Sequence, residues 1–364
     1  MRYRIAAILA ILCFVVLPIL IWNIAYIEPP EDIQGPKKSV HWKKIVSARE
    51  IHFPLEVHYV HFSPDGKNAL AGTISTVHVF ELASGKIVAT IPVRGLRAIF
   101  NSDGQWVISG GSHGTISIWD WHTQKCTREW QGHETTVYSL SASDDGKLFV
   151  SSSWKREPFV TDFRVWKVDS GEGVSSIELD GINAKCAKFI PSTTRIMALS
   201  GSAMRIYEAD GTCLQKLERN LRGHFAMRLG YHELEHVAFS KANPGIAFMS
   251  GQGSAAVWDL ERGRLVRTWW ARHGTCRAVA CSPTHHWGLT AGGGFEQTGR
   301  NIDEGFKYGT GRLWNLDNAE ELCEFAGHTD QITSAVFSPD GRYLLTGSYD
   351  KTVRIWEIPL AIAN

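Results

Sequence analysis

The stretch His61-Phe-Ser-Pro-Asp-Gly-Lys67 returns almost letter for letter as Val336-Phe-Ser-Pro-Asp-Gly-Arg342. Weaker copies stand at Ile99-Phe-Asn-Ser-Asp-Gly-Gln105 and Leu140-Ser-Ala-Ser-Asp-Asp-Gly-Lys147. Each copy joins two alternating apolar runs through a turn rich in Pro, Asp, Ser and Gly. That pattern predicts a β-hairpin. Its return along 364 residues marks a repeat architecture, which escapes the usual length limit on a single core because each unit adds its own.

Working outward, each copy is followed by a bulky aromatic in a strand-like run. The series is Phe80, Trp119, Trp166, Tyr207, Trp258, Trp314 and Trp356. The local sequences include Ser117-Ile-Trp-Asp, Arg164-Val-Trp-Lys, Ala256-Val-Trp-Asp and Arg354-Ile-Trp-Glu. A fourth short run comes next, and Gly132-His133 and Gly327-His328 close two of the units. This arrangement resembles the WD40-repeat family over about residues 41–358. The resemblance implies an all-β, seven-bladed WD40 propeller of four-stranded blades over 41–364. Too few residues follow Trp356 for a fourth strand. The run at 42–48 is therefore expected to complete the last blade and close the ring, hiding an open sheet edge.

The resemblance also implies a hydrogen-bonded set of His, Ser or Thr, Asp and Trp inside a blade. In the last repeat the set reads His328, Ser348, Asp350 and Trp356. On paper it looks like a catalytic triad, but a buried Trp N–H needs a partner and a His–Asp pair can orient one. The structural role is the stronger reading. Other repeats are incomplete: His133 has no Asp at the matching place, with Asp162 nearby.

Three intervals between anchors are longer than the rest. They hold Trp154, Arg156 and Phe159; then Arg222, Phe225, Arg228 and Tyr231; then Phe295, Arg300, Phe306 and Tyr308. Strand alternation brings all three insertions to one face of a propeller. Aromatic residues mixed with Arg are enriched in protein-binding surfaces, so these residues form a candidate partner-binding face. The plainer alternative is tolerated surface insertion.

Net charge of +1 is a poor match to a general nucleic-acid binder, which must neutralise phosphates. The chain has no nucleophile motif, metal-ligand cluster or Gly-rich phosphate loop. No catalytic residue, metal or cofactor is expected. The seven cysteines show neither a disulfide framework nor a CxxC pair. The function expected is a scaffold or assembly factor that binds one or more proteins. The alternative is an enzyme or small-ligand binder using the propeller channel.

Residues 5–27 carry no charge and exceed the roughly 20 residues a membrane-spanning helix needs. They predict a single-pass transmembrane signal anchor over 1–27, a linker over 28–40 and a membrane-tethered propeller. Arg2 and Arg4 before the segment, and Glu28, Glu31 and Asp32 after it, place the propeller on the extracytoplasmic, periplasmic side. Lys37 and Lys38 weigh against that orientation.

Overall fold

The Ser-x-Asp-Gly turns build the hairpins by local chemistry. Ser63 Oγ donates to Asp65 Oδ1 (2.6 Å), and the Lys67 N–H donates to the same oxygen (3.0 Å). Gly66 between them has φ of 69°, a left-handed conformation that costs glycine nothing. The same turn recurs at Ser143, Asp145 and Gly146, and at Ser338, Asp340 and Gly341.

A computed structural model describes residues 43–93, 95, 97–155, 160–180, 186–200, 203–217, 236–251, 254–271, 275–293 and 309–358. Every regular element among them is a strand. Two strands come first: β1 (Lys43–Ile45) and β2 (Arg49–His52). Blade 1 holds β3 (Tyr59–Phe62), β4 (Asn68–Gly72), β5 (Val77–Glu81) and β6 (Ile87–Ile91). Blade 2 holds β7 (Arg97–Phe100), β8 (Trp106–Gly110), β9 (Thr115–Asp120) and β10 (Lys125–Gln131). Blade 3 holds β11 (Ser139–Ala142), β12 (Leu148–Lys155), β13 (Val160–Lys167) and β14 (Gly173–Asp180). Blade 4 holds β15 (Cys186–Phe189), β16 (Ile196–Ser200), β17 (Ala203–Tyr207) and β18 (Cys213–Leu217). Blade 5 holds β19 (His236–Phe239), β20 (Ile246–Ser250), β21 (Ser254–Asp259) and β22 (Arg264–Trp270). Blade 6 holds β23 (Thr275–Cys281), β24 (Trp287–Gly293), β25 (Thr310–Asn315) and β26 (Glu321–Ala326). Blade 7 adds β27 (Ile332–Phe337), β28 (Tyr343–Ser348) and β29 (Thr352–Glu357).

Within each blade the strands pair antiparallel in sequence order. The innermost strands touch in a closed circuit, β3 to β7 to β11 to β15 to β19 to β23 to β27 and back to β3. The fold is therefore a seven-bladed β-propeller. Its core is not one mass but seven clusters, each shared by two neighbouring blades. Each aromatic anchor packs toward the preceding blade: Trp166 into the cluster with blade 2, Trp356 into that with blade 6, Phe80 into that with blade 7. With both blade faces covered, strand residues facing either way are apolar. In β21 every residue is buried.

The closing strand differs from the one expected. Residues 42–48 do not complete blade 7. Instead β1 adds to the outer edge of blade 6, parallel to β26, with Ile45 opposite Phe325. The chain then turns, and β2 runs antiparallel to β29 with Arg49 opposite Ile355 and His52 opposite Thr352. The reason is packing. Ile51 is the residue that reaches the core shared with Phe53, Val353 and Ile355, whereas Ile45 joins the core of blades 6 and 7. Arg354 fastens the corner, reaching Glu50 Oε2 (2.7 Å) and Ser47 Oγ (3.1 Å).

The transmembrane helix is a further correction. Among the described residues no helix is long and apolar enough to cross a membrane. The run at 5–27, the anchor drawn over 1–27 and the linker at 28–40 lie outside the described residues. The fold class is the propeller alone. An apolar run of sufficient length is a necessary condition for a span and does not by itself make one. The membrane tether is withdrawn, and the extracytoplasmic placement, which rested on the charges flanking that run, falls with it.

If β2 closes the ring, Ile51→Ala destabilises the protein by about 2–4 kcal/mol, the range for truncating a buried Ile. Val46→Ala, at a side chain 74% exposed, changes stability by less than about 0.5 kcal/mol. Denaturant midpoints of the two variants check this ordering.

Candidate functional site

Two blades contain a four-residue polar relay. In blade 7 the Trp356 indole N–H donates to Thr346 Oγ1 (2.8 Å), and that hydroxyl meets His328 Nε2 (2.7 Å). His328 Nδ1 lies 2.8 Å from Asp350 Oδ2. Donor counting gives one self-consistent set of proton positions for a singly protonated ring. Indole only donates, so the hydroxyl oxygen accepts from it and gives its own proton to Nε2. Nδ1 then carries hydrogen and donates to the carboxylate. Asp350 also accepts from the Thr329 N–H (3.0 Å) and the Thr352 hydroxyl (2.6 Å). Burial alone would raise the Asp350 pKa, but the His328 ring and the Thr352 and Thr329 donors hold it well below the carboxylate range.

The hydroxyl of this set is Thr346, not Ser348 as expected from the sequence. Ser348 Oγ donates instead to the Asp330 carbonyl (3.1 Å) and accepts from the Asp350 N–H (3.1 Å). Register explains the shift. Trp356 faces Leu344 across the strand pair, and the hydroxyl it reaches is two residues further, on the same face. The same offset recurs. Trp166 faces Phe149 and donates to Ser151 (2.8 Å); Trp119 faces Val107 and donates to Ser109 (3.1 Å); Trp314 faces Gly288 and donates to Thr290 (2.8 Å).

Blade 3, expected to lack an Asp partner, has a complete relay. His133 Nε2 lies 2.6 Å from Ser151 Oγ, and its Nδ1 lies 3.1 Å from Asp162 Oδ2. Asp162 is also bound by Arg164 Nε (2.9 Å). Burial lowers the His133 pKa, with Asp162 opposing. Ser151 and Thr346 are fully buried, and each hydroxyl is already occupied by a Trp and a His. Neither set is a nucleophilic triad.

The expected partner-binding face falls largely on undescribed chain. Arg156, Phe159, Arg222, Phe225, Arg228, Tyr231, Phe295, Arg300, Phe306 and Tyr308 lie outside the described residues. Trp154 is described. It sits near the end of β12, half-buried, with its indole N–H on Tyr138 Oη (3.2 Å). β12 and β13 have eight residues each, against five in β4, β8, β16 and β20. At the end of this longer hairpin Trp154 pairs with Thr161 and Lys155 with Val160. Lys155 also forms an ion pair with Glu178 on β14. The hairpin's ladder of eight residue pairs is longer than the five of β4–β5, β8–β9, β16–β17 and β20–β21. The sequence signal for it was the long interval before Trp166. Among the described residues no cluster of His, Cys, Asp and Glu could hold a metal ion.

Comparison with known proteins agrees with this architecture. Residues 85–120, 124–157 and 319–357 match the family described as WD domain, G-beta repeat. Each match begins at the fourth strand of one blade and runs into the next blade, so the sequence repeat bridges two sheets. The ribosome biogenesis protein WDR12 homolog of Drosophila pseudoobscura pseudoobscura is 23% identical over 320 residues, covering 82% of this chain and 72% of that protein. The WD repeat-containing protein srw1 of Schizosaccharomyces pombe is 24% identical over 266 residues, 70% of this chain and 42% of srw1. A chain in the crystal structure of a mitotic checkpoint complex superposes with a TM-score of 0.71 at 15% identity, covering 92% of this chain and 97% of that one. At that identity the structural likeness shows the fold.

Two measurements test the relays. Thr346→Val strands the buried His328 and Trp356 nitrogens and costs about 2–4 kcal/mol, while Ser348→Ala costs about 1 kcal/mol. Equal losses in denaturant titrations would contradict the assignment of the hydroxyl. For pH, a depressed Asp350 contributes stability that is present above its unfolded pKa, near 3.9, and lost as pH falls below it. Asp350→Asn is therefore less stable than wild type at pH 7, and the gap narrows when the same titrations are run toward pH 3.

Proposed function

We propose that this propeller is a protein-interaction scaffold whose partner docks on the face carrying the strand-two-to-three hairpins and the blade-to-blade connections. The observation that carries the reading is the lengthened β12–β13 hairpin, with Trp154 near its tip. A bulky aromatic held half-buried by one hydrogen bond to Tyr138 is an anchor whose ordering cost is largely met before a partner arrives.

Topology supports the same face. The segments 156–159, 218–235 and 294–308 depart from Lys155, Leu217 and Gly293 and return at Val160, His236 and Gly309. Strand direction puts all six positions on one side of the ring. The aromatic and Arg residues of these segments would then supply the specificity of contact. Two comparisons point toward assembly: one relative is named for ribosome biogenesis, and the matched structure is that of a multi-protein checkpoint complex.

The test is affinity purification of the full chain from its native extract, with crosslinking to locate contacts. A variant carrying Trp154→Ala, and another with 294–308 replaced by a short turn, should lose the same partner by tenfold or more. Both should keep wild-type thermal unfolding. A partner retained by both variants, or crosslinked to the opposite face, would remove the basis for this reading.

A further inference from the structure

The axis of the ring holds a cavity of about 390 Å³ lined by the first strand of every blade. Its charge is one-sided. Arg97 opens β7 in blade 2, Lys188 lies in β15 of blade 4, and Arg277 lies in β23 of blade 6. The three cations thus come from alternate blades and face a common space. His58 and His61 of blade 1 line the same space as uncharged rings, burial lowering the pKa of both, and no Asp or Glu stands among the described lining residues.

Elsewhere in the fold, buried or half-buried guanidinium groups meet carboxylates. Arg312 reaches Glu321 (2.7 Å) and Glu324 (3.1 Å), Arg164 reaches Asp162, and Arg354 reaches Glu50. The channel is built differently. Among the described residues Lys188 and Arg277 have no ion-pair partner, and Arg277 lies over the Tyr349 ring at 5.9 Å. His58 packs edge-on to the same ring, and its Nε2 is buried with no hydrogen-bond partner. The Tyr59 hydroxyl, on a residue only 5% exposed, is likewise unpartnered. Burial, and then the charge of Lys188, push the His61 pKa down to about 4.

We propose that this channel binds a small, multiply charged anion of the phosphate class. Like charges converging in a low-dielectric cleft focus a positive potential. A phosphate oxyanion offers what the lining lacks: several negative charges, and acceptors for lysine, guanidinium, phenol and imidazole donors. The volume lies toward the small end of the range for small-molecule sites, roughly 300–1,000 Å³, so the occupant is compact rather than polymeric. This site shares Tyr138 with the partner face, where its hydroxyl holds Trp154, but its cations Lys188 and Arg277 take no part in that contact. It takes up buried polar groups that neither the blade relays nor the hairpin uses.

The experiment is calorimetric titration of the full chain at low salt with inorganic pyrophosphate and, in parallel, adenosine diphosphate. The expected result is one saturable site per chain, weakened at least tenfold by Lys188→Met and by Arg277→Gln. Lys188→Met should also leave the free protein at least as thermally stable as wild type, because it removes an unmatched charge. That readout separates a lost site from a lost fold. Arg342→Gln, on an outer turn, should bind like wild type. Tighter binding of pyrophosphate would identify an inorganic source for the anion, and tighter binding of the nucleotide an organic one. Absence of saturable binding by both probes, or equal binding in wild type and both channel variants, would overturn the proposal.

Discussion

The four-residue pairing of Arg49–His52 with Thr352–Ile355 is the constraint on which the ring depends. Seven hydrophobic clusters lie between blades rather than within one central mass. An open ring would expose the two clusters that flank blade 7, and would leave β29 as an unpaired edge. The N-terminal segment prevents both losses. β2 completes blade 7 and places Ile51 in the cluster shared with blade 1, while β1 runs along blade 6 and adds Ile45 to the cluster shared by blades 6 and 7. Chain ends far apart in sequence thus become one structural joint, and the non-local pairing makes closure a late, cooperative event.

A second requirement follows from using tryptophan as the blade anchor. Its ring supplies large apolar area between sheets, but burying its N–H without a partner would cost several tenths to a few kcal/mol. The fold answers with one hydroxyl on the second strand, at Ser109, Ser151, Thr290 and Thr346. Where a histidine is available the hydroxyl passes its proton on, and an aspartate receives the last one. The hydroxyl and the tryptophan do not always go together: Phe80 faces Ala69 with Ala71 at the hydroxyl position, whereas Trp258 faces Ala247 with Met249 there.

The blade count was legible because one bulky aromatic, Trp in five units and Phe80 or Tyr207 in the other two, marks each unit, and a repeated turn gives the phase. Register inside the blade was harder to read. Ser348 and Thr346 both belong to a strand-end run with the same alternation, and a two-residue slip keeps the same face. Only the cross-strand partner of Trp356 separates them, and that partner is set by the length of the intervening turn. The same ambiguity hid the blade 3 relay. Its hairpin is longer, so Asp162 sits four residues before Trp166 where Asp350 sits six before Trp356. The N-terminal strand was placed one element too early because Trp-Lys-Lys-Ile-Val-Ser-Ala at 42–48 is the more strand-like run, while Arg-Glu-Ile-His at 49–52 carries one apolar residue. Tertiary packing, not local pattern, assigned them to different sheets. The channel cations were individually visible in the sequence, but Arg97, Lys188 and Arg277 are about 90 residues apart in sequence, and only ring closure brings them together.

Ring geometry also explains why these two kinds of polar group differ in character. A relay inside a blade lies between close-packed sheets, so each of its atoms must be matched on folding or the blade boundary weakens. First strands instead converge on an axis that seven side-chain layers leave partly open. Water or a ligand can reach groups there, and a cation can be kept without a protein counter-charge. The relays thus fasten blade boundaries away from the axis, while Lys188 and Arg277 line the central space. Because closure by β2 fixes the position of every first strand, the potential in the channel depends on the same four-residue pairing that completes the ring.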